Sequence, residues 1–169
     1  MTLSMYQASV PVFTRTLSNL KGVLEKAAAH AQARKIDDSV MLGARLYPDM
    51  FPLTRQVQIA TDFARGTGAR LSGVEPPAFE DNEKTFAELF DRVDRTLAYV
   101  RTLKAADIDG SEGRSITRPV RGVPHTFSGI DFLLKYALPN FFFHATTAYD
   151  ILRHSGVEIG KTDFIGKLD

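Results

Sequence analysis

Apolar residues recur at helical spacing in four long stretches of the chain. At 100° of rotation per residue, Tyr6, Val10, Phe13, Leu17, Leu20, Leu24, Ala27 and Ala28 fall within about 100° of arc. They predict an amphipathic helix over residues 4–30, with Arg15, Gly22, Glu25 and Lys26 on its other faces. Pro11 predicts a kinked or irregular first turn. The connection over 31–50 holds a short helical piece near 38–46, with Asp37 or Asp38 as its cap. The two prolines of the 47–52 run then force extended or turn backbone in the residue before each. A second long helix is predicted over 52–67, with the option of running on to Leu71. Its stripe is Leu53, Val57, Ala60 and Ala64, small enough for a neighbour to approach closely. Gly66 and Gly68 should end or weaken it, and Glu75-Pro-Pro-Ala-Phe79 reads as a loop.

The third long helix is the clearest, over 82–104. Phe86, Leu89, Phe90, Val93, Thr96, Leu97, Val100 and Leu103 hold one face. Glu88, Asp91, Arg92, Arg95 and Tyr99 lie opposite and read as solvated. Asn82 is one candidate cap, and Thr85 with Glu88 forms another. From 105 to 127 the periodicity stops, and residues 115–118 and 125–127 predict a small two-stranded ribbon. Ser128 with Asp131 opens a helical turn. Pro139 either kinks that helix or starts a new one, which runs to about His154 and ends at a left-handed Gly156. Residues 157–169 form a C-terminal tail. Four long helices, with long crossovers after the first and third, predict one all-α domain over 1–169, a four-helix bundle.

Composition removes several function classes. Lys plus Arg is 21 and Asp plus Glu is 20, which lacks the basic excess of a nucleic-acid binder. The absence of cysteine excludes disulfides, thiolate nucleophiles and cysteine metal sites. The most apolar stretch, 130–149, is broken by Asp131, Lys135, Pro139 and His144, so no membrane span is expected. The first residues do not read as a signal peptide, and a cytoplasmic location is expected.

Chemistry must then come from polar residues turned inward. On the last helix the stripe is Phe141, Ala145, Ala148, Tyr149 and Leu152, and His144 lies at its edge. His144 reads either as a core-edge histidine satisfied by one hydrogen bond or as a ligand or acid–base group. Gln56 holds the matching edge of the second long helix, near Phe63 and Thr67. The candidate pocket is therefore His144, Gln56, Thr67 and Tyr149, with Gln56 and His144 facing one cavity. His30, His125 and His154 read as exposed, and Asp62 as a surface partner of Arg55 or Arg65. No zinc helix, phosphate loop or nucleophile elbow is present, and Gly66-Thr67-Gly68 lacks the strand that a dinucleotide site needs. Phe143 falls on the polar face of the last helix. It is expected to be covered by the tail or, preferentially, by a second subunit, in a homodimer interface with Phe164 and Ile165.

The closing stretch from Tyr136 to Lys161 resembles a bacterial domain-of-unknown-function family (nineteen ninety-three) in the DinB/YfiT-like four-helix-bundle group. The likeness extends to Leu46-Tyr-Pro-Asp-Met50 with Pro52, to Gln56-Val57 and to Ala69-Arg-Leu-Ser-Gly73, nearly the whole chain. It implies the bundle fold already read from periodicity. In the larger group many members hold a divalent metal through three histidines, one from the second helix and two from the last, and some are metal-dependent thiol transferases or isomerases. Here His144 is the one plausible ligand. Ala148 stands four residues on, and Gln56 is the residue near the second helix's place. The expectation is a metal-free, cofactor-free binding or interaction module with a small-molecule ligand of unspecified kind. The alternative is an enzyme with an atypical site around His144, drawing on Gln56, Thr67, His125 or Arg118, with divalent-metal transferase or isomerase chemistry as one form of it.

Overall fold

The computed structural model describes residues 4–167. Helix α1 spans Val10–Arg34, starting later and ending later than the pattern predicted. Pro11 sits in its first turn, where a missing N–H breaks no helical bond, so the proline begins the helix instead of kinking it. Helix α2, Asp38–Gly43, is capped by Asp37, whose carboxylate accepts from Ser39 N at 2.8 Å. Helix α3 runs over Leu53–Ser72, through both glycines, and stops at Gly73, whose φ of 80° gives the left-handed cap. Gly68 is kept in the helix by packing. A Cβ there would lie 2.3 Å from Leu103 Cδ1.

Helix α4, Phe86–Thr102, uses the Thr85–Glu88 capping box, so its start lies beyond Asn82. A short helix α5, Ala105–Ile108, leads to strands β1, Ile116–Val120, and β2, Val123–Phe127, paired antiparallel with Arg118 opposite His125. The intervening Arg121 and Gly122 both have positive φ, as a tight two-residue hairpin turn requires. Helix α6, Gly129–Asp131, passes through a wider π-helical segment, Phe132–Ala137, into α7, Leu138–His154. Leu138 N–H reaches back to the Leu133 carbonyl just before Pro139, which has no N–H to give. The chain is thus one interrupted helix from 129 to 154, and Gly156 closes it in the left-handed conformation.

Helices α1, α3, α4 and α7 surround one core: α3 packs on α7 and α4, and α1 packs on α4 and α7. Phe13 and Phe141 meet edge to face across it, 4.9 Å apart. Helix α3 is enclosed nearly all round, with Gln56, Gln58, Thr61, Arg65 and Thr67 buried besides its apolar stripe. Among the described residues no helix is long and apolar enough to cross a membrane.

Three sequence expectations are corrected. Arg92, read as solvated, is 0% exposed, and Tyr99 is half-buried. His30, read as exposed, is half-buried, and Thr147, one turn beyond Phe143 on the last helix, is buried. The tail does not cover Phe143, which is 57% exposed. Val157 and Ile159 are buried, and helix α8, Lys161–Ile165, lies on α1. Asn19 donates to the Phe164 carbonyl and Arg15 to that of Ile165, while Lys26 pairs with Asp163 at 2.6 Å. These polar contacts join the tail to α1. Phe164 then packs on Tyr149 from that side, and Ile165 stays exposed. Residues 168–169 of the predicted tail lie outside the described residues.

Candidate functional site

The expected pocket divides into three places. His144 and Gln56 meet directly across the α3–α7 contact, with Nδ1 and Oε1 2.7 Å apart. Gln56 Nε2 donates to the Phe51 carbonyl at 3.0 Å, which turns Oε1 toward the imidazole. An accepting oxygen requires hydrogen on Nδ1, so the neutral ring carries its lone pair on Nε2. Burial, with the charge of Arg55 second, lowers the His144 pKa to about 4. Phe63 stacks near the ring at 6.4 Å, and Phe143 meets it edge-on at 5.2 Å. Tyr149 is elsewhere, against α8. Thr67 lines a separate cleft, to which neither Gln56 nor His144 contributes.

The donor set at His144 does not fit a divalent metal. Among the described residues no three His, Cys, Asp or Glu side chains gather to hold one. The Gln56 oxygen already receives the Nδ1 hydrogen, and the position one turn on is the buried Ala148. One imidazole nitrogen remains, where zinc sites take three or four protein ligands.

The cleft is the larger feature. It measures about 510 Å³, within the range of small-molecule sites. Helix α3 supplies one wall, the 76–79 loop a second, and the 132–140 segment a third, with Arg118 of β1 joining them. The π-helical turn places Phe132 and Tyr136 side by side, 5.8 Å apart, and Asn140 continues the same row. Tyr136 also touches Phe63 and Phe127, so the apolar wall is one aromatic cluster.

Four arginines line this space: Arg55, Arg65, Arg70 and Arg118. Arg55 pairs with Asp81, and Arg65 with Asp62 at 2.6 Å. Arg70 and Arg118 have no carboxylate in ion-pair contact among the described residues. Arg70 folds back along its own helix, donating to the Gly66 carbonyl at 2.8 Å. A Cβ at Gly66 would lie 2.5 Å from that Nη1, so the glycine leaves the guanidinium its seat. Burial, then the charge of Arg118, hold the Arg70 pKa below its ordinary value. Two cleft atoms, Thr67 Oγ1 and Arg65 Nε, are buried without a hydrogen-bond partner.

Behind the loop wall stands Arg92. Its Nε donates to Thr61 Oγ1 at 2.8 Å. Nη1 donates to the Glu80 carbonyl and Glu83, and Nη2 meets Asp62 and Asp81, all within 2.9 Å. Four of the five guanidinium hydrogens are thereby bonded, and Asp81 adds an ion pair at Nη2. Burial lowers the Arg92 pKa, but Glu83, Asp62 and Asp81 outweigh it and the net shift is upward. The hub ties α4 to α3 and fixes the 80–83 end of the loop. Phe79 is held further along by the guanidiniums of Arg65 at 4.3 Å and Arg95 at 4.6 Å.

Sequence reasoning named Thr67 and Arg118 from this cleft and missed the rest of its arginines. Arg70 stands in the Ala69–Gly73 stretch that carries the family resemblance, and Tyr136 and Asn140 open the closing stretch. Polar residues inside those stretches, rather than histidine spacing, were the available signal.

A family model described as a domain of unknown function (DUF1993) matches residues 5–165. A solved structure described as a DinB family member protein from Shewanella denitrificans is similar, with 41% identity and a TM-score of 0.91. That match covers 96% of this chain and 92% of the other. No protein of curated function matches.

Proposed function

Because the chain belongs to the DUF1993 family and is similar in fold to a DinB family member, we propose that it is a metal-free binding module on a four-helix bundle. Its ligand site is the arginine-lined cleft. The observation that carries this reading is a half-open space of about 510 Å³ with an aromatic wall and two arginines in no ion pair among the described residues. Proteins place few such groups in a concave site without a ligand to meet them. Chemistry at His144 has less support. His144 is 8% exposed, packs beside Phe63, and contributes nothing to the cleft lining.

Amide NMR with three single-ring probes tests the reading: neutral benzamide, cationic benzylamine and phenylacetate. At least one should shift the amides of Gly66, Thr67, Arg70 and Phe79 while leaving those of Gln56 and His144 in place. If no probe moves the cleft amides, or all act at His144, the cleft is not the ligand site.

A further inference from the structure

We infer that Arg70 and Arg118 form a clamp for the oxyanion head, carboxylate or phosphate, of a small molecule whose flat apolar body lies along Phe63, Phe132 and Tyr136. This inference rests on the cleft being the ligand site and adds the class of ligand.

The cleft's charges sort by whether they are used inside the protein. Arg55 and Arg65 are held by Asp81 and Asp62, and the hub at Arg92 takes both of those carboxylates as well. Nothing comparable meets the other pair. Arg70 comes from α3 and Arg118 from β1, so two distant parts of the chain bring a guanidinium each to one space. Glu75, on the exposed loop, is near enough for Arg70 to feel its charge but makes no ion pair with it.

Placing two half-buried cations together is unfavourable in the empty protein. An oxyanion between them removes that penalty and gains charge-assisted hydrogen bonds, for which the guanidinium fork is suited. The strand pair sets the face on which Arg118 stands. Arg118 shares that face with the buried Ile116 and with Phe127, which packs on Tyr136 at 5.4 Å. The aromatic wall is therefore joined to the same strand pair that presents the cation. A bare inorganic ion would leave that wall unused.

Equilibrium titrations with phenylacetate, phenyl phosphate, benzamide and inorganic phosphate, read by the same cleft amides, test the clamp. Both phenyl anions should bind about tenfold or more tightly than benzamide, and phenyl phosphate more tightly than inorganic phosphate. The tighter of the two phenyl anions identifies the head group, and either order supports the clamp. Arg70→Gln and Arg118→Gln should each weaken anion binding by about tenfold or more and weaken benzamide binding by a much smaller factor. Arg114→Gln, at an exposed position outside the cleft lining, should change nothing. Arg118 lies on a peripheral ribbon, so its variant keeps the test informative if Arg70→Gln fails to fold. Benzamide binding as tightly as the anions would overturn the clamp and leave the cleft as a small-molecule site. Inorganic phosphate binding as tightly as phenyl phosphate would overturn the role of the aromatic wall. Silence from every probe would remove the clamp together with the cleft.

Discussion

Replacing Arg92 with alanine is expected to lower the free energy of unfolding by about 3–5 kcal/mol, the cost of leaving buried charge without its partner. Arg92 is 0% exposed, and the side chain of Glu83, its most buried carboxylate, is 3% exposed. The substitution leaves that carboxylate with only the Gln58 amide, at 2.8 Å, and also orphans Thr61 Oγ1 as an acceptor. Marginal stability of about 5–15 kcal/mol makes this a large fraction of the whole. Arg95, one turn away on α4, is exposed, with Asp91 as its ion-pair partner and the Phe79 ring beneath its guanidinium, so Arg95→Ala should change stability by no more than about 1 kcal/mol. Urea unfolding of both variants makes the comparison. Equal effects would show that the buried hub contributes nothing beyond a surface arginine.

The second large effect is a pH dependence from His144. Its folded pKa is about 4, against about 6.5 for an unfolded histidine. Between those values the unfolded chain binds the proton and the folded chain does not. Stability therefore rises with pH across the window and falls as pH drops through it. From pH 7.5 to about pH 5 the loss attributable to this ring is about 2 kcal/mol. The carboxylates whose pKa values are lowered in the fold, Asp37, Glu88, Asp109 and Asp163, remain ionised there and do not mask it. His144→Gln should flatten this part of the curve, read as urea midpoints at the two pH values. An unchanged slope in His144→Gln would place the titration elsewhere.

Arg92 shows why periodicity carried the helices but not the site. At 100° per residue it lies only about 20° beyond Leu103, the edge of the α4 apolar stripe. Its charge argued for solvent, yet burial was decided by Asp62, Asp81 and Glu83, which come from other elements. A pattern read along one helix contains no term for partners on another. The Gln56–His144 contact was legible because both residues flank stripes on helices whose apolar faces must meet. The cleft was not, since its cations reach one space only after β1 has crossed to α3. The tail was misread for a related reason. Its apolar residues suggested a cover for Phe143, but Val157 and Ile159 enter the core instead, and Arg15 and Asn19 bond the end of the tail against α1.

Absence of a metal from the working protein is open to direct measurement by elemental analysis of chain purified without chelators or a metal-binding tag. Fewer than about 0.2 equivalents of zinc, nickel or iron per chain are expected, because one imidazole nitrogen falls short of the three or four protein ligands such ions take. One equivalent of metal, lost in His144→Ala, would contradict this and return the functional site to the α3–α7 contact.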